Sequence, residues 1–284
     1  MVANREFDSV MFKPGIIDYA AGSTSTWNIS TAVYASLSKS VSGQSSNPYG
    51  VTFSSDGTKM YILGNSNQTV YQYTLSTAWN VSTAVYASLS ISVSGQSSIP
   101  FGVAFSSDGT KMYILDYGSQ TVYQYTLSTA WNVSTAVYAS LSKSVSAQAS
   151  NPFGVAFSSD GTKMYILDYN SQTVYQYTLS TAWNVSTAVY ASLSKSVSGQ
   201  SSNPYGVAFS SDGTKMYIVD NTNKVVYQYT LSTAWNVSTA VYASLSISVS
   251  GQSSNPFGVA FSSDGTKMYI LDYVSQTVYQ YTMH

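Results

Sequence analysis

The feature that most limits how this chain can fold is a repeat of 52 residues, carried by Gly50, Gly102, Gly154, Gly206 and Gly258 and, in step, by Trp27, Trp79, Trp131, Trp183 and Trp235. A fixed period of this length is the sequence form of a solenoid, propeller or array, since each repeat buries its apolar faces only against its neighbours. The copies follow one another without a linker, which argues for one domain over residues 27–284. Residues 1–26 do not match the repeat and read as a lead-in.

Each unit resolves into four short strands. Gly102 to Phe105 is an apolar run that ends at Ser106-Ser107-Asp108-Gly109, and Lys111 to Leu115 is the next. Asp-Gly between two such runs predicts a hairpin with a type I′ turn, in which Gly supplies the positive φ. A polar break, Asp116 to Gln120, leads to a third strand at Thr121–Leu127, with Val122, Gln124 and Thr126 on one face and Tyr123, Tyr125 and Leu127 on the other. A loop carrying Trp131-Asn132-Val133-Ser134 precedes the fourth, from Ala136 to Val145, whose apolar face is expected to be Val137, Ala139, Leu141 and Val145. No segment has a helical period.

Four antiparallel strands repeated five times predict an all-β, five-bladed β-propeller. The termini add the means of closure. The first recognisable element is a lone fourth strand, Ala32 to Val41, and the last copy has only three strands, Gly258 to Thr282. One blade is therefore expected to be shared between residues 27–42 and 257–284, pairing the N-terminal strand with the C-terminal three and leaving no open sheet edge between first and last blades.

Gly-Val-Ala-Phe-Ser-Ser-Asp-Gly-Thr-Lys-Met-Tyr-Ile-Leu-Asp, from Gly102 to Asp116, resembles the repeat of the YVTN and NHL-like propeller families. Ser55, Ser107, Ser159, Ser211 and Ser263 stand where those families usually carry Pro. The Tyr-Gln-Tyr-Thr-Leu-Ser-Thr-Ala-Trp section is similar to tandem repeats of uncharacterised bacterial and phage proteins. The resemblance covers about the first half of each unit and implies the propeller fold; it implies no particular activity, because propellers host lectins, scaffolds and enzymes alike.

Composition closes off several functions. Charged residues make up 8%, with 11 Lys and Arg against 12 Asp and Glu, so there is no basic patch for nucleic acid. There is no Cys, hence no disulfide or thiolate metal site, and no apolar run long enough for a membrane span. Met1 to Gly15 carries Arg5, Glu6, Asp8 and Lys13 and does not read as a secretory signal. Solubility then rests on Ser, Thr, Asn, Gln and 26 Tyr, a composition that favours an extracellular, cell-surface or virion-associated setting. The single His is the last residue, His284, so no imidazole is placed to activate a serine. No catalytic residue, cofactor or metal is called for, and a monomer is expected.

Carboxylates form two sets. Asp56, Asp108, Asp160, Asp212 and Asp264 lie in the Asp-Gly turns and are read as turn formers. Asp116, Asp168, Asp220 and Asp272 end the second strands, with Gly64 interrupting the set, and two readings stay open: a cation site at the channel mouth, or local bonds to loop N–H groups. Differences between blades concentrate in the loop that follows, which brings forward Asn65, Tyr117, Tyr169, Asn221 and Tyr273 as candidate ligand contacts. Trp27, Trp79, Trp131, Trp183 and Trp235 are the other candidates. An indole beside Asn and Ser suits a sugar ring, and five such sites would add avidity; the alternative is that these rings pack between blades.

The reading that follows is a non-enzymatic, multivalent binding module for carbohydrate or a surface protein. Its alternative is a purely structural, recently amplified or designed propeller without a specific ligand.

Overall fold

A computed structural model describes residues 26–284 of the chain. Except for Thr26, the expected lead-in lies outside the described residues. Four complete blades follow in order. The first comprises β2 (Pro48–Phe53), β3 (Lys59–Gly64), β4 (Thr69–Leu75) and β5 (Ala84–Ser92), and the second β6 (Pro100–Phe105), β7 (Lys111–Asp116), β8 (Thr121–Leu127) and β9 (Ala136–Ser144). The third is β10 (Pro152–Phe157), β11 (Lys163–Asp168), β12 (Thr173–Leu179) and β13 (Ala188–Ser196), and the fourth β14 (Pro204–Phe209), β15 (Lys215–Asp220), β16 (Val225–Leu231) and β17 (Ala240–Ser248). The fifth joins the two ends: β1 (Val33–Ser40) pairs with β20 (Thr277–Thr282), which continues to β19 (Lys267–Asp272) and β18 (Pro256–Phe261). Every pairing is antiparallel, and β1 meets β20 from Val33↔Thr282 to Ser40↔Thr277. The chain is thus a five-bladed β-propeller closed by its N-terminal strand, as expected.

The core lies between blades. Tyr61, Leu63 and Val70 of the first blade pack with Met112, Ile114 and Tyr125 of the second, and all are buried, which is why the middle strands are apolar on both faces. Inner strands approach closely because glycine lies between them: a Cβ on Gly102 would come within 2.9 Å of Val155 Cγ1 in the next blade. Two polar bonds stitch each interface. Gln72 Oε1 accepts from Val133 N at 3.1 Å, and the Tyr61 hydroxyl donates to Trp131 O at 2.8 Å. The closing blade repeats both, with Ile29 N donating to Gln228 Oε1 and Tyr217 donating to Trp27 O. Closure is as well bonded as any internal interface.

Two local expectations are corrected. The hairpin is not type I′, since Gly109 is left-handed (φ 71) but Asp108 is not. Gly109 N donates to Ser106 O, placing Gly at the fourth position of a turn whose Asp side chain accepts from Thr110 N. In such a four-residue turn Ser is favoured at the first position and Gly at the fourth, and the two central residues keep negative φ, so only Gly109 is left-handed. The outer strand also does not present Val137 with Leu141. Leu141 opposes Gln124 while Tyr138 opposes Tyr125, so Ala139 and Ser140 form a bulge, with Ser140 left-handed (φ 57). The bulge reverses the alternation, leaving Val137 68% exposed while Leu141 packs inward.

Candidate functional site

Hairpins and Trp loops share one end of the ring; the loops after each second strand share the other with the links between blades. At the hairpin end each indole packs over the hairpin of its own blade and against a tyrosine of the preceding blade. The Trp131 ring covers Gly109, where any Cβ would overlap it, and lies 5.6 Å from Phe105 and 6.4 Å from Tyr61. The backbone N–H of Trp131 donates to Gly109 O and its backbone carbonyl accepts from the Tyr61 hydroxyl. Asn132 Oδ1 accepts from both the N–H and the hydroxyl of Ser134, capping the short 3₁₀ turn Val133–Thr135. Trp27, Trp79, Trp183 and Trp235 are placed alike, half-buried over Gly265, Gly57, Gly161 and Gly213. The edges of Trp131 and Trp235 reach a cavity of about 310 Å³ at this mouth of the channel, beside Ser107, Ser159 and Ser211.

Here too the turn carboxylates are tied to their own hairpins. Ser158 donates to Asp160 at 2.6 Å, and with Thr162 it holds that carboxyl down at about 2. Asp56, Asp108, Asp212 and Asp264 are shifted in the same direction: partial burial works against ionisation, and the Ser and Thr hydrogen bonds outweigh it.

At the loop end, Asp116 is buried beneath its loop. Ser97 Oγ and Ile99 N donate to its Oδ1, at 2.6 and 2.8 Å, and Ser119 N donates to Oδ2 at 2.7 Å. Burial opposes ionisation of Asp116 and Asp272, yet these donors outweigh it and hold both below the ordinary carboxylate range. Asp168 accepts from Asn151 N and Ser171 N, with Ala149 in place of the serine. Asp220 and Asp272 keep all three donors. In the first blade Gly64 replaces the aspartate, and the equivalent serine hydroxyl, Ser45 Oγ, is buried without a partner. Among the described residues no three such side chains converge as metal ligands.

Asn65, Tyr117, Tyr169, Asn221 and Tyr273 occupy one equivalent position, directly after these second strands. They surround a feature that the sequence reading missed. Tyr49, Phe101, Phe153, Tyr205 and Phe257 form a closed collar, each ring centroid 4.4 to 4.8 Å from the next. Each is the extra residue of a bulge in its inner strand, for Pro100 pairs with Asp116 and Gly102 with Leu115, skipping Phe101. Bulges of this kind re-aim a side chain. Tyr117 lies 5.3 Å from Phe101, Tyr169 4.9 Å from Phe153 and Tyr273 5.0 Å from Phe257. Asn65 and Asn221 instead donate to Pro100 O and Pro256 O. The collar lines a cavity of about 320 Å³ that runs down the channel past Thr52, which stands where the other blades have alanine. The readable signal was an aromatic, Tyr or Phe, held between Pro and Gly in every repeat.

No family model matches the sequence, and no curated protein matches it. Solved structures do. A functionally unknown protein from Desulfotomaculum acetoxidans DSM 771 aligns at 15% identity over 79% of this chain and 62% of its own, with a TM-score of 0.50. A protein from Bacteroides fragilis NCTC 9343, provisionally named a 6-phosphogluconolactonase, aligns at 14% identity over 78% and 62%, with a TM-score of 0.49. The chain spans about three fifths of the length of these two proteins. At such identity the first likeness concerns the fold alone.

Proposed function

We propose that this protein is a non-enzymatic binding module that engages carbohydrate or a surface partner at the loop end of its ring. One observation carries the reading: position 65 and its four equivalents, where near-identical blades differ, gather around the aromatic collar at one mouth of the channel. Aromatic faces flanked by amides and phenol hydroxyls suit ligands with both C–H surface and hydroxyl groups. The absence of catalysis in this reading rests on the donor sets above, which tie the carboxylates to their own turns, and on the terminal place of His284. The multivalent form adds weaker equivalent sites at the Trp corners, whose edges meet serine hydroxyls at the other mouth.

A glycan-array screen of the monomer tests this, run beside a Tyr117→Ser, Tyr169→Ser variant and a Trp131→Ala, Trp183→Ala variant. Binding is expected to fall in the first variant. A titration saturating near one site per ring favours the collar, and several equivalent sites favour the Trp corners. The structural alternative is favoured by the closeness of the repeats and by the local bonding of every Trp loop. A folded ring that binds nothing on the array would leave that reading standing.

A further inference from the structure

We propose that the first blade holds a site for a small carboxylate ion, acetate or formate, at Gly64, where its siblings carry an aspartate. The site is separate from the collar and does not depend on a ligand there. In the second blade Ser97 Oγ, Ile99 N and Ser119 N converge on the Asp116 carboxylate, and the fourth and fifth blades repeat this set around Asp220 and Asp272. The first blade keeps the three donors, as Ser45 Oγ, Asn47 N and Asn67 N, without the acceptor. Ser45 is fully buried, its hydroxyl has no partner, and that oxygen lies 2.8 Å from where a Cβ on Gly64 would be. Asn47 N and Asn67 N also donate to nothing among the described residues. The third blade carries the opposite deletion: Ala149 replaces the serine, and Asp168 keeps its two backbone donors. Alanine therefore fits this position, yet the first blade retains a buried hydroxyl that costs stability unless it finds an acceptor.

The siblings define the ligand. What Gly64 lacks relative to aspartate is a methylene and a carboxylate, the heavy atoms of acetate. An acetate whose oxygens meet the three donors turns its methyl group toward the Gly64 Cα, so the strand backbone blocks a longer or branched tail. Burial works against ionisation of Asp116 and Asp272, yet the same donors hold both below the ordinary range, so this donor set favours the anion over the neutral acid. Asn67 controls access. Its amide oxygen stands against the position of a Gly64 Cβ, while its Nδ2 donates to Gln44 O at 3.2 Å and to the Tyr71 hydroxyl at 2.6 Å. The three atoms nearest that position are side-chain atoms of Asn67 and Ser45, so room is made without moving the backbone. Asn67 is exposed, which lets its amide turn into solvent as a carboxylate enters. The second, third and fifth blades have serine here, bonded to the equivalent tyrosine.

Calorimetric titration of the intact chain at neutral pH and constant ionic strength tests the inference, with sodium acetate and formate as probes and chloride and pivalate as controls. Acetate is expected to bind at one site per ring with the weak, roughly millimolar affinity of a ligand of few atoms. Amide spectra of the asparagine-labelled chain should show Asn47 and Asn67 shifting as it saturates. Asn67→Ser, which removes the amide that must turn away, should tighten binding several-fold. Ser45→Ala, the residue the third blade already carries, should weaken it on the order of tenfold. Gly64→Asp should abolish it by supplying the carboxylate from the chain. Chloride binding as tightly as acetate, pivalate competing with it, or acetate binding that survives Gly64→Asp would each overturn the inference. So would the lack of saturable binding by both the unmodified chain and Asn67→Ser, which would leave water as the partner of Ser45. Binding by Asn67→Ser alone would overturn it for the native chain, because the amide would then be a permanent occupant of the site.

Discussion

At the hairpin end of the ring the five Ser-Ser-Asp-Gly-Thr-Lys turns are identical, whereas at the loop end no two of the five loops agree. The difference lies in what side chains do at each end. A hairpin-end Trp covers a left-handed glycine, packs on a Phe and a Tyr, and bonds two strands through its backbone. No substitution keeps all of that. At the loop end the structural work is done by backbone N–H groups and a buried aspartate, so the next side chain is free to be Tyr or Asn. Invariance at one end therefore reports packing, and variation at the other leaves room for recognition.

The largest effect that would break this contrast is at the hairpin end. Trp131→Ala should cost about 3–5 kcal/mol in urea unfolding, through lost packing on Gly109, Phe105 and Tyr61. A loss under about 1 kcal/mol would return the Trp corners to candidacy as ligand sites, because such an indole would be doing little for the fold. Next in size is the loop-end carboxylate. Asp116→Ala leaves the Ser97 hydroxyl and two N–H groups without an acceptor and should cost about 1–3 kcal/mol. Gly64→Asp runs the same comparison backwards. It offers Ser45 Oγ an acceptor once the Asn67 side chain turns outward, and should stabilise by about 1 kcal/mol. A destabilised Gly64→Asp protein would mean that the first blade has repacked around its glycine.

The smallest effect is that of acid. Carboxyls held below their unfolded value contribute stability that is fully present above that value, 3.8, and is lost as pH falls through the folded one, about 2 for Asp160. Asp116 and Asp272 act in the same direction. The melting temperature should thus be level from neutral pH to about 5 and decline below about 4. Asp160→Asn should flatten that decline, and an unchanged acid slope would show that the turn carboxylates contribute nothing to it.

Much of this was legible in the chain. The 52-residue period, the Asp-Gly hairpins, and the lone strand at the N-terminus set against three at the C-terminus determined five blades and their closure, because strand length, turn chemistry and edge pairing are local or repeat in sequence. Val137 misled because alternation assumes an unbroken ladder, and a bulge with Ser140 left-handed leaves no mark in a pattern of apolar residues. The variable positions were found from the sequence as well, including all five that stand around the collar.

What only the tertiary structure decided is that these positions meet. Tyr49, Phe101, Phe153, Tyr205 and Phe257 are separated by a full repeat, and any one of them reads as an ordinary aromatic between Pro and Gly. A bulge turns each toward the axis, and closure of the ring brings residues from five blades within 5 Å of their neighbours. A repeat specifies what each blade is locally; the contents of the axis exist only after every blade has been placed, since they depend on the radius at which packed sheets close.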